Sequence, residues 1–144
     1  NRLRVAQQFG AATVINPSRQ NVAEEIHRLT DGIGVDVAIE CVGIAATFRT
    51  CQEIIAPGGR IANVGVHGQP VDLHLDTLWI KNITIATGLV NTSSTPMLLK
   101  SVRAGRLTPE KLVTHTFALH EIEKAYEVFG HAAEEKAMKI VLTA

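Results

Sequence analysis

The chain has 144 residues, 46% of them hydrophobic, with 14 basic side chains against 14 acidic ones. This apolar content at zero formal net charge excludes a disordered chain, and the lack of any Lys/Arg excess or block leaves no electrostatic footprint for nucleic acid. No apolar run approaches the roughly 18 to 20 residues that span a bilayer. The two cysteines, Cys41 and Cys51, make neither a disulfide framework nor a zinc knuckle, so a cytoplasmic protein without a membrane partner is expected.

Leu3, Val5, Ala6 and Phe9 have helical spacing, and Gly10 can cap that helix in the left-handed conformation. No initiator methionine or signal peptide precedes it, so the chain is expected to be a fragment entered inside a helix. Ala12 to Ile15 reads as a short strand stopped by Asn16-Pro17, since proline cannot continue a ladder. A helix is expected over Asn21 to Leu29, with Glu24 and Glu25 where the helix dipole favours acids. Asp31 to Gly34 is a turn. Val35 to Val42, VDVAIECV, reads as a buried parallel strand. Ala45 to Ile55 is helical and ends at Pro57-Gly58-Gly59. Buried strands follow at Arg60 to Val66 and Asn82 to Leu89, with a short helical or irregular piece, Leu75 to Ile80, between them. Met97 to Ala104 and Glu121 to Phe129 are amphipathic helices, and Met138 to Leu142 is a last strand.

Strands alternating with helices at roughly 20 to 25 residue spacing are the βαβ signature, which predicts a mostly parallel sheet covered on both faces with right-handed crossovers. Near Asn91 to Thr95 the alternation gives way to two helices and one strand. Ligands of such sheets bind outside the carboxyl ends of the strands. Those ends read Glu40-Cys41-Val42-Gly43, Val64-Gly65-Val66 and Ile85-Ala86-Thr87-Gly88-Leu89. Each carries a glycine, which lets another group approach the backbone closely, and three in order fit one ligand lying along the edge.

Other chemistries find little support. GxGxxG and GxxxxGK[ST] are absent, and Gly32-Ile33-Gly34 precedes a strand, not a helix. There is no GxSxG elbow. The six histidines show no metal-ligand spacing and read as solvated or structural. Cys41 reads as a small buried residue at a strand end and Cys51 as a helix-face residue. Glu40, the one carboxylate at a buried strand end, is expected to hydrogen-bond to backbone there.

Taken in order, Arg2-Leu3…Ala6…Phe9-Gly10-Ala11, Gly34-Val35-Asp36…Glu40-Cys41-Val42-Gly43, Pro57-Gly58-Gly59, Asn63-Val64-Gly65-Val66 and Leu112-Val113-Thr114-His115 closely resemble the C-terminal part of the medium-chain, zinc-type alcohol dehydrogenases. The resemblance covers the whole chain. It implies an incomplete Rossmann-like doubly wound parallel sheet, lacking its first strands and glycine loop, over residues 1–88. Residues 89–144 would return to the catalytic domain as a helical segment and a final strand. It implies NAD or NADP as cofactor, an alcohol or carbonyl substrate, and a zinc ion in the full-length enzyme that this chain does not bind.

Carried over position by position, the resemblance puts Arg2 near the adenosine ribose, Val42 and Gly43 against the cofactor riboses, and Val64, Gly65, Val66, Ile85 and Thr87 around the nicotinamide carboxamide and ribose. Lys139 would reach the pyrophosphate where eukaryotic members have arginine, giving a point charge in place of a planar fork. No catalytic or metal-ligating residue is assigned to this chain. Alternatives are the zinc-free quinone reductase branch of the superfamily and a non-catalytic nucleotide-binding module, the latter disfavoured by the missing phosphate loop. With two strands missing between Ala12–Ile15 and Val35–Val42, the first strand is expected to slide in beside the second, or another chain to fill the gap. Strand 83–87 is expected to pair with its own copy in a homodimer.

Overall fold

Local chemistry sets the first elements. Helix α1 covers Arg2–Gln8. Helix α2, Val22–Leu29, starts where the Asn21 side chain accepts from Ala23 N and Glu24 N and returns its Nδ2 to Glu24 Oε1 at 2.9 Å, so orphan N–H groups of the first turn are satisfied. A pair between Glu25 and Arg28, 2.8 Å apart, adds surface support. The computed structural model describes all residues, Asn1–Ala144. They form two compact units, Thr13–Val90, and Asn1–Ala12 together with Asn91–Ala144.

The Thr13–Val90 unit holds a three-stranded parallel sheet in the order β1-β2-β3. The strands are β1 (Val35–Glu40), β2 (Ile55–Asn63) and β3 (Thr84–Thr87). Helix α3 (Ala45–Ile54) crosses from β1 to β2, and α4 (Leu75–Leu78) with a 3-10 turn at Trp79–Lys81 leads into β3. The β1–β2 ladder opens with Val35 opposite Ile55 and resumes with Val37 opposite Arg60. The Pro57-Gly58-Gly59 segment therefore lies inside β2 as an outward bulge, not ahead of it, and Gly58 takes a φ of +75° there. Ile61 sits opposite Ile85 and is fully buried among Ala38, Phe48, Cys51, Ile55 and Leu78.

Two expectations about this sheet are corrected. Ala12–Ile15 forms no strand, neither beside β1 nor elsewhere. It is the stretch where the chain passes from one unit to the other, and β1 remains a sheet edge. Cover on both faces also fails: Val37 is 54% and Ile39 61% exposed, while Ala38 and Glu40 point to the α3 side and are buried.

The other unit holds α5 (Thr95–Arg103), β4 (Val113–Ala118), α6 (Ile122–Gly130) and β5 (Lys139–Thr143). Here the expectation of a single strand is corrected, because β4 and β5 pair in parallel. Thr114 supports the pairing: its hydroxyl donates to Lys139 O at 3.2 Å and accepts from Met138 N at 3.0 Å. Phe117 stacks on His115 and lies under the Lys124 ammonium. No helix is long and apolar enough to cross a membrane.

Ile61→Ala removes the centre of the packed face and is expected to lower stability by about 2–5 kcal/mol, read from urea unfolding. A change within the scatter of surface substitutions would show that Ile61 is not the centre of this core.

Candidate functional site at the strand carboxyl ends

β1 stops at Glu40 because the side chain turns back on the chain that follows. Glu40 is 1% exposed. Its Oε1 accepts from Val42 N (2.8 Å), Gly43 N (2.9 Å) and Thr47 Oγ1 (2.6 Å), and its Oε2 accepts from Gly43 N (3.1 Å). Its main-chain carbonyl accepts from Val64 N (2.8 Å) and Gly65 N (3.0 Å). One residue thus ties the end of β1 to the first turn of α3 and to the end of β2. The expected backbone hydrogen bonding of Glu40 is present.

Burial alone would push the Glu40 carboxyl up. The Thr47 hydroxyl, the Gly43 and Val42 N–H groups and the nearby His67 imidazole outweigh it, and the carboxyl titrates below its ordinary value of 4.5. Burial pushes the Cys51 thiol up, with Glu40 and Cys41 adding to the effect, so Cys51 is an inert core thiol. Cys41 lies just beyond β1 and is exposed, contrary to the buried position expected of it, because the chain leaves the sheet as soon as Glu40 caps the turn.

The glycines act on one another. Gly43 has a φ of +83°, and a Cβ there would overlap the Val66 carbonyl; a Cβ on Gly65 would overlap Glu40 Oε2 and Gly43 N. Only glycine at both positions lets the two strand ends touch. At Gly88 nothing lies within 4 Å of such a Cβ.

The resulting edge presents Val42 (62% exposed), Val64 (63%) and Val66 (86%). The Val64 carbonyl and the Val66 N–H join none of the hydrogen bonds of these turns. Ile85 turns its side chain toward the core, while Thr87, opposite Asn63 at the end of the β2–β3 ladder, is exposed. Val42, Gly43, Val64, Gly65 and Val66 are therefore brought together. Arg2 and Lys139 belong to the other unit.

Asn63, Thr47 and His67 were missed as members of this cluster. Asn63 Nδ2 donates to Gly65 O at 3.0 Å, His67 Nε2 lies 2.8 Å from Asn63 Oδ1, and Nε2 is 3.6 Å from Glu40 Oε2. Position in the sequence carried a hint, since Asn63 and His67 flank the Val64-Gly65-Val66 end. No group of three or more His, Cys, Asp or Glu side chains comes together to hold a metal ion.

A parallel β1-β2-β3 sheet joined through a helical crossover is the arrangement of Rossmann-like α/β domains. The zinc dependent alcohol dehydrogenase 2 from Streptococcus pneumonia, in its apo form, superposes with a TM-score of 0.91 at 56% identity, over 98% of this chain and 41% of that one. The family described as zinc-binding dehydrogenase matches residues 1–103, and the chain belongs to it. Among curated relatives, the alcohol dehydrogenase of Cupriavidus necator is 32% identical over 91% of this chain and 37% of its own length. The NADP-dependent isopropanol dehydrogenase of Thermoanaerobacter brockii is 34% identical over 96% of this chain and 42% of its own length. The chain thus spans about two fifths of the relatives it matches.

Glu40→Gln removes the charge and turns one acceptor into a donor facing a backbone N–H. It is expected to cost about 2 kcal/mol or more in urea unfolding at neutral pH. The folded carboxyl titrates below 4.5, so its stabilisation is present above the unfolded value and lost as pH falls through the folded one. Acidification should therefore destabilise the wild type more than the Gln variant, and parallel pH profiles would contradict this.

Proposed function

We propose that this chain is the C-terminal part of an NAD(P)-dependent, zinc-type alcohol dehydrogenase, which transfers a hydride between an alcohol and the nicotinamide ring and so interconverts alcohols with aldehydes or ketones. The observation that carries the reading is the strand-end edge, with its free Val64 carbonyl and Val66 N–H, in a chain of the zinc-binding dehydrogenase family.

When bound, the cofactor supplies the hydride chemistry, and the protein supplies position. Val42 and Gly43 would meet the riboses. The Val64 carbonyl and Val66 N–H offer an acceptor and a donor to a carboxamide, with Ile85 contributing backbone and Thr87 a hydroxyl. Arg2 and Lys139 would supply charge toward the ribose and the pyrophosphate. Zinc ligands are proposed to lie in the rest of the parent protein. A cytoplasmic setting accords with two free cysteines.

Reading the DNA upstream of Asn1 tests the parent assignment. A contiguous frame carrying the glycine fingerprint and Cys/His ligands supports it, and a start codon there defeats it. The 144-residue chain alone is expected to give no alcohol turnover with zinc and cofactor added. Calorimetry should return an NAD affinity in the millimolar range or weaker, about 4 kcal/mol or less. Zinc-dependent turnover or micromolar binding would contradict this.

The partner proposed is a second copy. β3 is paired on one side only, and Thr84, Ala86 and Thr87 are exposed, so its free edge can pair antiparallel with the same strand of another chain. Sedimentation should give a dimer with protected amides at residues 83–87. A monomer exchanging freely there would refute the pairing.

A further inference from the structure

His67 stands in the sequence as one of six histidines without ligand spacing, yet one of its atoms is unusual. His67 Nδ1 is buried and has no hydrogen-bond partner. The ring is held edge-on against Phe48, centroids 5.8 Å apart, and the side chain is 15% exposed.

The proton on this ring can be placed from its neighbours. A carbonyl only accepts, so Asn63 must turn Nδ2 to Gly65 O, 3.0 Å away. That leaves Asn63 Oδ1 facing His67 Nε2 at 2.8 Å, with Glu40 Oε2 at 3.6 Å. Asn63 Oδ1 only accepts, so Nε2 carries the hydrogen of that bond, and Nδ1 is the nitrogen left without a partner.

Gly65 O and the Val66 N–H belong to one trans peptide and point in opposite directions. Anchoring Gly65 O therefore aims the Val66 N–H away from the Glu40 cluster. The neighbouring peptide is treated alike, since Gly65 N donates to Glu40 O at 3.0 Å and so aims the Val64 carbonyl. Glycine places little resistance on rotation of the 65–66 peptide, and an asparagine amide with no second partner is free to turn over. His67 removes that freedom.

We infer that His67 is a positioning residue: through Asn63 and Gly65 O it fixes the direction of the Val66 N–H, the donor offered to a bound dinucleotide's carboxamide. This rests on the cofactor edge proposed above.

The test is nitrogen and proton NMR on the 144-residue chain, free and titrated with NAD+ and NADP+ to concentrations well above the millimolar affinity expected of it. Wild type should show His67 as the Nε2–H tautomer and one fixed Asn63 side-chain amide, and the dinucleotide should shift the Val66 amide. His67→Phe keeps a ring beside Phe48 but has no donor. It should release the Asn63 amide and weaken dinucleotide binding about five-fold, the share of one ordinary hydrogen bond. His67→Gln restores an N–H donor and should restore both signals. Asn63→Leu breaks the same relay from the other side and should give the same loss, even where His67→Phe fails to fold. An Nδ1–H tautomer, or an Asn63 amide unchanged in His67→Phe, would overturn the relay. A released amide with unchanged affinity would overturn the positioning role. Absence of any Val66 shift in wild type would instead strike the cofactor edge itself, and the inference would fall with it.

Discussion

The strand ends depend on the buried carboxylate of Glu40. A charge at 1% exposure survives there because Val42 N, Gly43 N and Thr47 Oγ1 all donate to it, so the cost of desolvation is met by charge-assisted bonds. The same residue's carbonyl holds Val64 N and Gly65 N. The end of β1, the start of α3 and the end of β2 are therefore one hydrogen-bonded object. The two glycines that permit its closeness, Gly43 and Gly65, are limited by each other's surroundings before any ligand is considered.

This rigidity has a functional consequence. The groups left over, the Val64 carbonyl and the Val66 N–H, have their directions set by peptides whose other ends are anchored on Glu40 and Asn63. The cofactor edge proposed for these groups would be only as well aimed as those anchors, because backbone groups cannot adjust by rotamer. Side chains at the edge, Val42, Val64 and Val66, then need only be apolar and exposed.

The exposed apolar surface has a different cause. Val37 and Ile39 lie open on the face of β1 opposite α3. In the other unit Tyr126 and Phe129 on α6 and Leu142 on β5 border an apolar groove. Such surfaces ordinarily meet other protein.

Periodicity and punctuation determined most of the elements. The VDVAIE run, the helix over Asn21 to Leu29, the helical spacing after Ala45 and the positions of the strand-end glycines were legible because each is a local property, decided within a few residues. β4 was not read as a strand although Val113 to Ala118 alternates, since two threonines and a histidine dilute its apolar signal and its partner lies 25 residues on, where Thr114 meets Lys139. Ala12–Ile15 has strand-like composition yet joins no ladder, although β1 keeps a free edge; composition marks a segment able to pair, and tertiary placement decides whether it does. The resemblance marked Val42, Gly43 and Val64 to Val66 as a ligand edge and the sequence set Glu40 against backbone donors, but neither gave Asn63, Thr47 or His67 a part in holding that edge. Their roles arise from distances between β1, α3 and β2 that exist only once the strands lie side by side.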